Sequence, residues 1–331
     1  MGIIMEKIII ILLALGVGFL IFFLFKRVIL PQRAAANTNL EDKKQIYQTI
    51  RQAKADIDRD PQNAEAHYLL GKALLADKRE DQAFRAFRSA SRLGIDGKKI
   101  PEVEFRETMA SLYAKFNEEE EALKEYILLI KKHPENPDYY YHAGMLFTSR
   151  GRGDRALQFL SKAVALNPRE GRYRFELGMA HYHSKKLREA GMEFEAALRI
   201  NPADDNALLY MGKVMKDTKD FSGALQYLEK AARGQELKLR ALVELGSCYM
   251  SLKMIDKAIM ELERAVNSIE KESEPDSLYA RYYLAMCFEK NRDFGKAVAQ
   301  WDRIYAQKKN FRDVGEKLTQ YIEYRETESK K

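Results

Sequence analysis

Cysteine is almost missing from this chain: there are two in 331 residues, Cys248 and Cys287. So few exclude a disulfide framework and any zinc site built on cysteine spacing. Histidine is scarce too, with five. No segment has a convincing strand pattern, and hence no Gly-rich phosphate loop follows one. HExxH, GxSxG and paired carboxylates outside the repeating helix faces described below are also lacking. The sequence therefore reads as non-enzymatic, with no cofactor. A basic stripe is absent as well. The formal charge is +7, but Lys7, Lys26, Arg27 and Arg33 against Glu6 place +3 of it in residues 1–36, leaving only +4 for the rest. That balance gives no reason to expect a nucleic-acid partner, and an RNA-binding helical repeat is the least favoured of the functions considered. Composition, at 46% apolar and 32% charged, fits an ordered helix-rich body.

What is present begins with an apolar run. Ile8 to Phe25 are 18 apolar residues or glycines without a break, and Val28–Leu30 continue it past Lys26 and Arg27. That length spans a bilayer as a helix, so residues 1–30 are expected to be a membrane anchor. A cleaved signal peptide fits less well, despite Ala34–Ala36: the run is long, its leading flank is nearly neutral and basic residues follow it directly. With no cysteine near it, a lipoprotein anchor is excluded. The cationic C-terminal flank predicts a single-pass protein of the inner (cytoplasmic) membrane with its body in the cytoplasm, the periplasm being the alternative. Residues 31–37 read as a linker. Thr38 and Glu41 read as a capping box that opens a capping helix within residues 38–60, with Ile46, Ile50 and Ile57 on one face.

Beyond this the chain repeats. Gly144, Gly178, Gly212 and Gly246 are each 34 residues apart, and Ala156, Ala190, Ala224 and Ala258 follow them at a constant offset of 12. Gly71 with Ala83, Ala110 with Ala122, and Ala285 with Ala297 keep the same offset, giving seven units: 64–97, 103–136, 137–170, 171–204, 205–238, 239–272 and 278–311. A small residue on each of two helices lets them approach closely, and bulky residues at helical spacing fill the space around the contact. The first and last joints each carry five extra residues, around Gly94–Ile100 and Lys271–Ser277, where turn formers absorb them. Residues 312–331 read as a C-terminal capping helix and tail, with Phe311, Val314, Leu318, Tyr321 and Ile322 on one face of a helix from Asn310 to Glu326.

A 34-residue beat of this kind resembles the tetratricopeptide repeat (TPR) family. The resemblance implies an all-α fold: a right-handed superhelix, or α-solenoid, of about seven helix pairs over residues 61–311, here preceded by the transmembrane helix. The pattern departs from the family in two ways. The family's Trp-like place holds His67, Arg106, Tyr140, Arg174, Leu208, Leu242 and Arg281, and the three arginines suggest looser packing with stems on apolar surface and heads in water. The repeat-closing proline appears as Pro134, Pro168 and Pro202 but is missing after the fifth, sixth and seventh units. An anchor followed at once by repeats resembles the membrane-anchored bacterial lipopolysaccharide assembly protein B family in architecture, without that family's cysteine-rich metal-binding module.

The repeat also accounts for isolated motifs. His181 and His183 flank Tyr182, but residues two apart on a helix point in different directions, so no metal site is expected; His181 falls at a core place and His183 on the open face. Arg152-Gly153-Asp154 falls in an inter-helix turn, and Cys248 and Cys287 share one repeat place as small buried apolar residues.

In the family that this chain resembles, ligands lie along the first helices, inside the superhelix. The matching places here hold Tyr141, Met145 and Thr148; Phe175, Met179, Tyr182 and His183; Leu209, Lys213 and Lys216; Val243 and Met250; and Tyr282 and Met286, with Arg172 and Arg240 at the margin. The expectation is an aromatic and methionine-lined groove whose basic edge suits a peptide or an acidic or amphipathic helix of a protein partner, the alternative being that the rings only support packing between repeats. The Lys/Asn carboxylate clamp of the family's chaperone-tail binders is not matched, because Ser111, Met145, Met179 and Ser247 stand where Asn is wanted. The function expected is a membrane-tethered protein–protein interaction scaffold. The alternative is a structural subunit of a cell-envelope assembly, such as a flagellar collar or secretion machinery. Oligomerisation is left open.

Overall fold

In a computed structural model, the backbone is described for residues 30–271 and 274–328, and side chains for 42–271 and 274–321. The apolar run Ile8–Phe25 lies outside the described residues. Among those described, no helix is long and apolar enough to cross a membrane.

The described residues form sixteen helices and no strand. They are α1 (Leu30–Arg59), α2 (Ala64–Ala76), α3 (Glu80–Leu93), α4 (Glu102–Lys115), α5 (Glu119–Lys132), α6 (Pro137–Ser149), α7 (Gly153–Leu166), α8 (Gly171–His183), α9 (Leu187–Ile200), α10 (Asp205–Asp217), α11 (Phe221–Ala231), α12 (Lys238–Ser251), α13 (Ile255–Asn267), α14 (Pro275–Lys290), α15 (Phe294–Gln307) and α16 (Val314–Glu328). From α2 to α15 they come as seven pairs. Two compact units divide the chain between Glu125 and Tyr126, inside α5. In the first unit, α1 lies on α2, and Ile50, Tyr68, Leu74, Phe84, Phe87, Phe105 and Met109 share a core. The second unit stacks α6 to α16.

Five of the pairs are set by one close approach. A Cβ placed on Gly144 would fall 2.7 Å from Leu160, on Gly178 2.7 Å from Phe194, on Gly212 2.6 Å from Leu228, and on Gly71 2.8 Å from Phe87; Gly246 meets Leu262 in the same way. In every case the opposing residue lies 16 positions later, on the second helix, and is fully buried. Where the small residue is Ala285, the fully buried Trp301 stands 16 positions on.

The turn inside each pair is equally regular. Lys78, Asn117, Gly151, Lys185, Lys219, Lys253 and Arg292 all have positive φ, between 59° and 67°. Two residues' N–H groups reach back at each turn, as in Arg152 N–H to the Phe147 carbonyl at 2.9 Å and Asp220 N–H to the Met215 carbonyl at 2.8 Å. This is the Schellman closure, which wants a left-handed residue just past the helix end. Only one of the seven turns uses glycine. Arg152 caps α7 and Gly153 opens it, so the RGD tripeptide belongs to this turn.

Four expectations change. Residues 31–37 are helical, part of α1, so they are not a linker, and Thr38 with Glu41 lies inside the helix and does not cap it. The Ala34–Ala36 run is strongly helix-forming and no glycine interrupts it. Part of the second insertion lengthens α14, which starts at Pro275, a residue type suited to a first helical turn. The last helix starts at Val314, and Phe311 is buried in the turn before it. Finally, the three arginines at the Trp-like place do not hold their heads in water. Arg106 reaches Glu125 at 2.7 Å, Arg174 reaches Glu193 at 2.9 Å, and Arg281, 2% exposed, donates to Gln300 at 2.9 Å. Each partner stands 19 residues on, so a charge-assisted or amide bond ties the pair together where tryptophan would pack.

The array ends in a latch. Arg312 lies over the rings of Tyr279 and Tyr282 at 5.1 and 4.9 Å, and Lys317 and Tyr321 both donate to Glu289, at 2.8 and 3.0 Å.

Two stability predictions follow from this geometry. Gly178→Leu forces atoms into Phe194 and should destabilise by about 1–3 kcal/mol, read as a lower melting temperature; an unchanged value would refute the close approach. At Lys219 the left-handed conformation costs about 1–2 kcal/mol for a non-glycine residue, more than the roughly 0.5–1 kcal/mol of unfolded-chain entropy that glycine adds. Lys219→Gly should therefore raise the melting temperature slightly, and a decrease would show that the turn carries no such strain.

Candidate functional site

The face formed by the first helices of the second unit (α6, α8, α10, α12 and α14) carries the residues predicted to line a groove. Helical spacing puts the second, fifth, sixth, ninth and twelfth places of each repeat on this side. The structure distributes them among four packing clusters rather than one open channel. Tyr141 and Met145 belong to a cluster with Leu160 and Tyr173. Phe175, Met179 and Tyr182 gather with Phe194, Tyr210 and Met215. Leu209 and Val243 lie in a third core, and Tyr282 with Met286 in a fourth.

Burial corrects the expectation of an aromatic groove. Leu209 is 0% exposed, Tyr282 7% and Tyr141 8%. These rings are joints between repeats. Tyr141 meets Tyr173 with centroids 5.2 Å apart, and Arg172 covers it at 4.8 Å. Arg172 also reaches Asp138 at 3.2 Å, and the Tyr173 hydroxyl donates to the same carboxylate at 2.6 Å. Phe175 contacts Phe194 at 5.6 Å and Tyr210 at 5.8 Å. Tyr182 sets its edge on Tyr210 and donates its hydroxyl to Asp217 at 2.8 Å; burial, then the Asp217 acceptor, push that hydroxyl's pKa above the ordinary tyrosine value. Tyr282 donates to Asp313 at 2.8 Å.

The basic margin is also committed. Lys213 lies 3.4 Å from Glu244 and over the Tyr210 ring at 5.2 Å, while Lys216 pairs with the same Glu244. For Lys216 burial lowers the pKa, but the Glu244 charge and hydrogen bond outweigh it and leave the ammonium above its ordinary value. Arg240 bonds Asp276 at 2.9 Å. The cations therefore cross-link neighbouring first helices and are not a free positive edge.

What stays partly open is narrower: Met145, Met179, Tyr182, Met250 and Met286 are half-buried, and His183 is exposed. His181 is half-buried, and burial lowers its pKa. The thiols of Cys248 and Cys287 are buried, and desolvation pushes each up to about 11, which makes them poor nucleophiles. Among the described residues, no group of three or more His, Cys, Asp or Glu is placed to hold a metal ion.

The sequence reading missed the sixth place of each repeat, occupied in order by His142, Glu176, Tyr210, Glu244 and Tyr283. His142 stacks on Tyr126 at 5.2 Å, and burial lowers its pKa. Glu176 is half-buried, and burial alone raises its carboxyl pKa. Its charge in turn raises the Tyr141 hydroxyl, second to burial. The 34-residue index would have located both residues had it been applied to this place.

The fold and this face define a helical-repeat solenoid whose helices pair by close approach and whose repeats are tied along their first helices. A family profile described as tetratricopeptide repeat matches residues 50–97, 108–170 and 160–205, and a second tetratricopeptide repeat profile matches 239–271; together these cover more than half of the chain. The chain belongs to the tetratricopeptide repeat family. Its fold is similar to that of a tetratricopeptide repeat protein from Parabacteroides merdae, with TM-score 0.56 and 14% identity over 82% of this chain and 98% of that one. It is also similar to the C-terminal part of a TPR repeat-containing protein from Cytophaga hutchinsonii, with TM-score 0.50 and 17% identity over 86% and 98%. A chain of an APC/C hetero-tetramer gives TM-score 0.56 and 17% identity over 83% of this chain and 52% of that one. At these identities the likeness concerns the fold. No curated protein matches the sequence.

Because burial raises the Glu176 carboxyl, the folded state binds its proton more tightly than the unfolded chain does. That contribution favours the fold below the ordinary glutamate range, about 4.3, and is lost as pH rises through the raised value. Glu176→Gln should raise the melting temperature at about pH 7, and the gain should shrink toward about pH 4. Equal melting temperatures at neutral pH would mean that the carboxylate is fully hydrated.

Proposed function

We propose that this protein is a membrane-tethered scaffold, not an enzyme, that docks a segment of a partner protein along the first helices of its repeats. Membership of a family of stacked helical repeats supports the general role, since such arrays present extended binding surfaces. The observation that carries the docking reading is the half-open strip of Met145, Met179 and Tyr182, beside exposed His183, on the first-helix face. Methionine is unbranched and polarisable, and adapts to apolar partner side chains. The tether rests on the Ile8–Phe25 run and the cationic residues after it, which favour an inner-membrane protein with a cytoplasmic repeat body.

A second reading, a structural subunit of an envelope assembly, draws on a different surface. Met192, 59% exposed, and Met260, 53% exposed, stand on the second helices α9 and α13, apart from the first-helix face. Methionine is adaptable and suits apolar assembly contacts.

A photo-crosslinking residue placed at 179 in the full chain in cells should trap a discrete partner protein, while the same residue at 192 should not. The reverse result would favour the assembly reading. Deletion of residues 1–30 should release the chain from the membrane fraction, and a reporter fused after Lys331 should be active only in the cytoplasm. A chain that stays soluble with residues 1–30 intact would remove the tether.

A further inference from the structure

Glu176 and Glu244 hold the same place two repeats apart, on α8 and α12. Glu244 receives two cations from the preceding first helix, α10: Lys213 at 3.4 Å and Lys216. For Glu176 the preceding first helix is α6, and the two places equivalent to those lysines hold Met145 and Thr148. The Thr148 hydroxyl is already given to the Gly144 carbonyl at 3.1 Å. The other carboxylates of this face are taken: Asp138 by Arg172 and Tyr173, Asp217 by Tyr182, Asp276 by Arg240, Glu289 by Lys317 and Tyr321, and Asp313 by Tyr282. Among the described residues, Glu176 makes no hydrogen bond or ion pair. It stands beside the half-open methionine strip.

We propose that Glu176 anchors a lysine or arginine side chain of the docked partner segment, which supplies from outside the cation that Lys213 and Lys216 supply to Glu244 from within. The inference rests on the docking reading above and names what that site selects. A half-buried carboxylate with no counter-ion has lost water without compensation. An incoming ammonium or guanidinium restores a charge-assisted bond, and its aliphatic stem lies along Met145 and Met179. The cationic residue is therefore flanked by apolar ones in the partner. Charge decides against an acidic segment. The cations at this face, Arg172, Lys213, Lys216 and Arg240, are already paired, and Glu176 repels a second carboxylate.

The test uses the full chain and terminally blocked, fluorescein-labelled nonapeptides. These share leucine and phenylalanine flanks and differ only in a central lysine, arginine, glutamine or glutamate. Binding is read by fluorescence anisotropy, and the fold of each variant by circular dichroism. The lysine and arginine peptides should bind the parent chain about tenfold or more tightly than the glutamine peptide. Glu176→Gln should abolish that preference. Met145→Lys with Thr148→Lys, which installs the missing cations, should abolish it too while raising the melting temperature. Equal binding of lysine and glutamine peptides, tighter binding of the glutamate peptide, or a preference that survives Glu176→Gln would each overturn the proposal. Peptides that bind without charge preference, but less well to a Met179→Ala chain, would leave the docking reading standing and remove only the role of Glu176. If no peptide bound at all, both would fall.

Discussion

Everything in this chain depends on how closely the two helices of a pair can approach. The first helix offers a glycine or alanine, and a large apolar residue 16 positions later on the second helix fills the space that a side chain would take. That contact and the Schellman turn beside it together fix the direction in which the second helix leaves the first. The first-helix face is a consequence of this geometry. Its members come from residues far apart in sequence yet identical in repeat phase.

That face carries two opposed demands. It must couple neighbouring repeats, since a stacked array has no other core, and a docking surface must leave something uncoupled. The rings of Tyr141, Phe175 and Tyr282 serve the first demand, as do the ionic rungs from Arg172 to Asp138 and from Lys213 and Lys216 to Glu244. On the docking reading proposed above, the second is met where the rungs stop, around Glu176 and the methionines beside it.

Much of this was legible before any coordinates. Spacing alone located the seven pairs, because the small-residue positions recur at a fixed offset and close approach has no other cheap solution. The aromatic groove was not legible correctly, for a physical reason. A helix position facing the inside of an array also faces the next repeat, and sequence phase does not say whether a ring there bridges to its neighbour or stands free. Arg106, Arg174 and Arg281 were misread for a related cause: their partners lie 19 residues on, across the helix pair, where pairing shows only when both helices are indexed together. The left-handed lysines were missed because that conformation is usually announced by glycine, which appears at Gly151 alone. Residues 31–37 read as a linker because they open on Pro31, although Ala34–Ala36 favour helix.

The latch at the C-terminal end bears on how the array comes apart. In a one-dimensional stack, a terminal element has one neighbour where an inner one has two, so such stacks fray from their ends. Here Arg312, Asp313, Lys317 and Tyr321 fasten the last turn and helix to Tyr279, Tyr282 and Glu289 of α14. Opening that end means breaking aromatic, ionic and hydroxyl contacts together. Because those contacts hold the last turn and α16 to α14, amide protons at this end of the solenoid are expected to exchange as one block rather than helix by helix.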